Sequence, residues 1–210
     1  MGGEDKLFYE KRARDRGYNL VAGVDEAGRG PLAGPVVAAC CAFRKDVRIE
    51  GIDDSKKLTA KKRQDAYRLL AKHPQVLYSI GIVEPDEIDR INIYQATIKA
   101  MTMAIDGMPE KPDYVIVDGM NLLHPEAATE KLVKGDARSL TVGAASILAK
   151  VTRDEIMERY HDKWPCYGFN RNRGYGTVEH LKALEENGPC EIHRASFQPV
   201  KSLIEELSIC

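Results

Sequence analysis

Residues 20–35 constrain this chain more than any other stretch. An apolar, strand-like run over 20–24 ends in two adjacent acids, Asp25 and Glu26. Gly28-Arg29-Gly30 and two Gly-Pro pairs follow, and a second apolar run then occupies 36–43. The chain must therefore leave one strand, turn through a glycine-rich segment and enter another. Adjacent acids repel each other unless a cation or strong donors lie between them. Glycine on each side of an arginine lets the backbone come close to a bulky partner. Acids suited to metal, beside a cation and an open backbone, suggest phosphodiester chemistry. Taken alone, an Asp-Glu pair before a glycine is more often a solvated strand end, so the rest of the chain has to decide.

The 210 residues suffice for one sizeable domain, or for one domain with an appendage. A hydrophobic content of 43% with 30% charged residues excludes a disordered chain. The formal net charge of −1 argues against binding nucleic acid by overall charge and leaves room for local basic patches. The 5 cysteines show no Cys-x-x-Cys spacing, which predicts reduced thiols and a cytoplasmic protein. The first 17 residues are highly charged, without an apolar signal core. No apolar run approaches the ~20 residues that span a bilayer. No membrane association is expected, and a monomer is.

Apolar patterning predicts strands over 20–24, 36–43, 76–83 and 114–117, with another over 132–134. Helical spacing covers 59–73, 94–108 and 140–164. It also covers 177–187, stopped by Gly188-Pro189, and a last segment over 199–207. The early strands are expected to pair antiparallel. The later ones alternate with helices and are expected to pair parallel. The fold class is α/β, a mixed sheet flanked by helices with a C-terminal helical segment.

The strand over 115–117 ends in Asp118-Gly119, and binding groups in such sheets gather at the carboxyl ends of strands. If this strand lies beside the first, Asp118 lands next to Asp25. Lys134-Gly135-Asp136 supplies a further acid after a short β-type run. Four acids so placed form a plausible cluster for Mg²⁺, a hard cation that prefers oxygen ligands. Ser55, Lys56 and Lys57 precede a helix that carries Lys61, Lys62 and Arg63, a pattern that suits phosphate or simply a solvated helix start. Arg171, Arg173 and Tyr175, the last held between two glycines, could set a ring against a sugar or base, or form a turn with a packed tyrosine. His193-Arg194-Ala195-Ser196-Phe197 could add donors or be a surface turn.

Together these segments resemble ribonuclease HII, the type 2 ribonuclease H of bacteria. The resemblance runs in chain order over roughly 18–200. It includes Gly23 to Gly30, Asp54-Ser55-Lys56-Lys57-Leu58, Val117-Asp118-Gly119 and Lys134-Gly135-Asp136. It continues through 144–154, Tyr167-Gly168-Phe169, Gly174-Tyr175-Gly176-Thr177 and His193 to Phe197. It implies a ribonuclease H-like core over 18–164, after a short segment over 1–17, with a helical extension over 165–210 packed on the core. The implied activity is endonucleolytic cleavage of RNA in RNA/DNA hybrids and at single ribonucleotides in duplex DNA. Asp25, Glu26, Asp118 and Asp136 would be the catalytic acids, holding two Mg²⁺ or Mn²⁺ ions. Gly28, Arg29 and Gly30 would read the ribose 2′-OH, Tyr175 would stack on the next deoxyribose, and Ser55 and Lys56 would contact phosphate. Arg173 stands where the family often has Lys, and the charge is kept. Asp154 reads as structural, paired with Arg153 or Lys150.

None of the 5 histidines lies in the acidic motifs, which favours metal-activated water over attack by the 2′-OH. Other readings stay open at this point. A different two-metal nuclease would share the acids without needing a ribose reader. A P-loop protein would need the Gly-Lys-Ser/Thr that residues 28–34 lack. A non-catalytic nucleic-acid-binding module would have no reason to gather four acids.

Overall fold

A computed structural model of the chain describes residues 5–44 and 58–208. Ser55, Lys56 and Lys57 of the expected phosphate loop lie outside the described residues.

The strands are β1 (Val21–Ala27), β2 (Val36–Phe43), β3 (Val76–Val83), β4 (Tyr114–Asp118) and β5 (Ala128–Leu132). They form one 5-stranded sheet in the order β3-β2-β1-β4-β5. The β1/β2 and β2/β3 pairs are antiparallel, and β1/β4 and β4/β5 are parallel, as the strand spacing predicts. The last strand differs from expectation. It occupies Ala128–Leu132 rather than 132–134, and Lys134 already has left-handed backbone (φ 57°). As an edge strand with polar residues, it shows no apolar alternation to read.

The helices are α1 (Phe8–Asp15), α2 (Ala60–Lys72), α3 (Pro85–Asp106), α4 (Gly135–Arg138), α5 (Leu140–Lys163), α6 (Phe169–Asn172), α7 (Val178–Asn187) and α8 (Val200–Leu207). Thr59, Ser139 and Thr177 cap α2, α5 and α7 by accepting backbone amides three residues on. α3 begins before the predicted 94–108 and is broken at Asn92 (φ 66°). The Asn92 side chain caps the second half, accepting from the Tyr94 and Gln95 amides.

The sheet is buried on both faces. Alternate residues of β2 divide between them: Ala38 and Cys40 face α3, with Ala100, Met101 and Ile105, while Ala39, Cys41 and Phe43 face α2 and α5. Small residues let α5 lie close against β1. A Cβ on Gly23 would collide with the Val142 amide. A third apolar cluster joins the C-terminal helices to the end of α5 and to Leu32 and Ala33, with Met157, Phe169 and Leu184 at its centre. The C-terminal segment therefore rests on the loop that follows the acids. Cys40, Cys41, Cys166 and Cys190 are free thiols. No helix among the described residues is long and apolar enough to cross a membrane.

Candidate active site

The site is built at the carboxyl ends of neighbouring strands. In the parallel β1/β4 pair Val24 lies opposite Val117, so Asp25 and Asp118 are the next residues out of the sheet, side by side. Asp118 Oδ1 then accepts the Gly135 amide at 2.6 Å. That bond ties the end of β4 to α4, which carries Asp136 as its second residue. Asp136 thus follows a strand and a glycine as expected, but it sits at a helix start, since β5 ends at Leu132 and 132–134 is not the strand. One carboxylate oxygen from each of Asp25, Asp118 and Asp136 lies within 4.8 Å of the others. Glu26 lines the same cleft beside this triad and is not part of it.

Burial is the largest effect on the Asp25 carboxyl and pushes it well above the usual range; the charges of Glu26 and Asp118 push the same way. A hydrogen bond from Ser146 and the Glu26 amide, 2.7 Å from Asp25 Oδ1, partly offset them. Burial also raises Glu26, countered by Arg29, whose Nη1 lies 3.3 Å from Glu26 Oε1. Glu26 Oε2 is buried with no hydrogen-bond partner. A cluster of hard oxygen donors, with Asp25 and Glu26 raised chiefly by burial and an orphaned carboxylate oxygen beside them, suits a divalent cation such as Mg²⁺ or Mn²⁺.

The cleft holds about 330 Å³. Gly28, Arg29 and Gly30 form one wall. Gly28 has φ +99°, and a Cβ there would collide with Arg153 Nε, so the turn requires glycine. Gly30 differs, because a Cβ there would meet only Tyr175 Cε1, at 3.7 Å. Tyr175, 44% exposed, faces the same cleft rather than packing under the C-terminal helices. Its loop is tied to the other wall by the Leu32 amide, which donates to Gly174 O at 2.8 Å.

Two buried histidines support Tyr175 from behind. The Cys190 amide donates to His193 Nδ1 (2.9 Å). His193 Nε2 is then the donor to His180 Nε2 (3.0 Å), and His180 Nδ1 donates to Tyr175 O (2.9 Å). The chain of bonds needs both rings neutral. Burial, helped by its neighbour, pushes His193 down to about 4 and also lowers His180.

Patterning did not single out Ser146, Lys150 and Arg153, which also line the cleft. They stand on one face of α5 at helical spacing, in a helix whose first half is otherwise mostly apolar and buried. Lys150 Nζ pairs with Asp154 at 2.7 Å, one of the two partners expected for that acid. Arg63 reaches the cleft as well, while Arg173 turns away to Glu158 and the Asp154 carbonyl.

Residues 22–200 match the family model described as Ribonuclease HII. The chain is 51% identical over 203 residues to Ribonuclease HII of Chlamydia trachomatis serovar A, which covers 97% of this chain and 93% of that relative. It is 50% identical over 194 residues to Ribonuclease HII of Bacillus subtilis, covering 92% of this chain and 75% of the relative. Among solved structures it is similar to the ribonuclease H2 of Pyrococcus horikoshii OT3. The TM-score is 0.74 at 28% identity, covering 90% of this chain and 99% of that one.

Proposed function

This chain belongs to the ribonuclease HII family, and from that premise we propose that it hydrolyses the RNA strand of RNA/DNA hybrids and also cuts on the 5′ side of a single ribonucleotide in duplex DNA. The observation that carries the reading is the placement of Asp25, Glu26 and Asp118, the Gly28-Arg29-Gly30 turn and the Tyr175 ring on one cleft, with an Asp136 oxygen within 4.8 Å of Asp25 and Asp118.

Asp25, Asp118 and Asp136, with Glu26 beside them, would hold two divalent ions. Such ions supply Lewis-acid activation of a water nucleophile and charge for the leaving 3′ oxygen. The residues of the chain do the rest. The open Gly28-Arg29-Gly30 backbone comes up to the sugar and bonds its 2′-OH, the one group that separates a ribonucleotide from its neighbours. The Tyr175 ring lies flat on the following deoxyribose, where a 2′-OH would crowd it. Arg63 and Lys150 at the cleft edge provide positive charge for the phosphates. In this scheme the 2′-OH is a recognition handle and not the nucleophile.

The test uses a DNA duplex with one ribonucleotide, the same duplex with deoxyribose at that place, and an RNA/DNA hybrid. Cleavage of the first and third in Mg²⁺, abolished by EDTA, is expected. Cleavage of the all-DNA duplex at a similar rate, or cleavage that survives EDTA, would refute the reading.

A further inference from the structure

Arg194 and Arg153 are among the largest fully buried side chains of the protein. Among the described residues neither pairs with a carboxylate, an uncommon state for a buried charge. Backbone carbonyls take their place. Arg194 donates through Nη2 to Gly28 O (2.6 Å) and Gly34 O (2.8 Å), through Nη1 to Arg29 O (3.0 Å) and through Nε to Gly34 O (3.0 Å). Arg153 donates to Pro35 O (2.9 Å), Ala33 O (3.0 Å) and Arg173 O (2.9 Å). One guanidinium therefore grips the Gly28-Arg29-Gly30 turn. The other links the end of that loop to the residue two before Tyr175.

The direction of these bonds matters. In a trans peptide the carbonyl and the following N–H point to opposite sides. With the Gly28 and Arg29 carbonyls drawn inward to Arg194, the Arg29 and Gly30 amides face away from it. Neither amide has a hydrogen-bond partner among the described residues. Two free donors are thus held side by side at the cleft wall, within reach of a ligand oxygen. Burial, with Arg153 nearby, pushes the Arg194 guanidinium down to about 9, so it keeps its charge at neutral pH. A charged fork holds carbonyls more firmly than a neutral donor would.

We propose that Arg194 is a positioning residue for sugar selection, fixing the Gly28-Arg29-Gly30 turn so that its outward amides are set for a ribose 2′-OH before substrate arrives. Arg153 gives the same loop a fixed distance from Tyr175, so the two sugar contacts act as one gauge. This rests on the reading of the turn given under Proposed function. Charge alone is not enough, because a lysine ammonium cannot span carbonyls that lie on three residues in the plane of a guanidinium.

The test measures binding preference: the ratio of Kd for a DNA duplex to Kd for the same duplex with one ribonucleotide, in Ca²⁺. Arg194→Lys is expected to lower the preference by roughly tenfold, the effect of about one charge-assisted hydrogen bond. Ile105→Ala, a core truncation on the far face of the sheet, is expected to lower Tm and leave the preference unchanged. Gly30→Ala, which the fold accommodates, is expected to lose the preference by obstructing the turn. If Gly30→Ala loses the preference and Arg194→Lys keeps it, the positioning role is wrong. If both keep it, the reading of the turn itself is wrong. Wild-type protein gives a check free of any folding defect in the variants: NMR order parameters of the Arg29 and Gly30 amides, without substrate, should match rigid backbone at about 0.85. Values below about 0.6 would mean that the turn is not set in advance and would overturn the proposal.

Discussion

Asp118 Oδ1 accepts the Gly135 amide at 2.6 Å, so the acid that ends β4 also anchors the helix that carries Asp136. One carboxylate thereby does two things: it contributes charge to the triad and sets where its neighbour stands.

These two roles separate by mutation. Asp118→Asn keeps an oxygen for the Gly135 amide and removes the charge. It is expected to fold with near-native Tm and to lose on the order of 10³ in turnover. Asp118→Ala also abandons the Gly135 amide and is expected to cost about 1–3 kcal/mol in addition. Urea unfolding of the two variants, with steady-state rates in Mg²⁺, checks both; equal stability of Asn and Ala variants would remove the anchoring role.

Asp25 works against folding while it is ionised and has no cation beside it. Its carboxyl is raised in the folded chain, so this opposition is present at neutral pH and fades as pH falls through the raised value. Asp25→Asn is therefore expected to melt above wild type in EDTA at pH 7, by about 2–4 °C. The same variant should be inactive in Mg²⁺ and should gain less Tm from added Mg²⁺ than wild type does. Calorimetry with and without the metal reads this; a lower Tm in EDTA would show that Asp25 is not strained by its neighbours.

Much of this site was legible in the sequence because buried strands that end in acids leave a plain mark. Residues 20–24 and 114–117 are apolar, and Asp25 and Asp118 stand at their ends. Other parts left no mark. α1 is a short charged helix held by docking: Glu10 is buried and accepts from Ser139 Oγ and from the Thr141 amide and hydroxyl at the start of α5. Its own propensity would not stabilise so short a helix. The first half of α3 was hidden by the break at Asn92. The roles of Arg153 and Arg194 were hidden for a different reason: a guanidinium satisfied by backbone carbonyls has no partner residue type to be recognised in a sequence.

Tyr175→Ala should separate sugar reading from metal chemistry. Loss of one stacking contact is worth about 1–3 kcal/mol. Cleavage at a lone ribonucleotide is expected to fall by roughly 10–100-fold, with a smaller fall on an all-RNA hybrid strand and an unchanged Mg²⁺ midpoint. Equal losses on the two substrates, with a lowered Tm, would instead assign the ring a structural role.

The histidine pair makes stability fall on the acid side. His193 is held neutral down to about pH 4, whereas an unfolded histidine takes up a proton near pH 6.5. The unfolded state then binds more protons than the folded one, so stability drops as pH falls from about 6.5 towards 4. The drop attributable to this ring is about 3 kcal/mol at most. Urea unfolding across that range should show a shallower slope for His193→Gln than for wild type. An identical slope would mean that His193 is protonated in the fold and that the chain of bonds to Tyr175 is drawn the wrong way.

The most direct measurement is the identity of the ends left on a duplex DNA that carries one ribonucleotide, cut in Mg²⁺ and resolved by mass spectrometry. If water attacks the phosphorus and the 3′ oxygen leaves, the upstream fragment carries a free 3′-OH and the ribonucleotide keeps a 5′-phosphate. That is the expected result, with the break on the 5′ side of the ribonucleotide. A 2′,3′-cyclic phosphate as the main product would make the 2′-OH the nucleophile and would contradict its role as a handle read by the Gly28-Arg29-Gly30 turn.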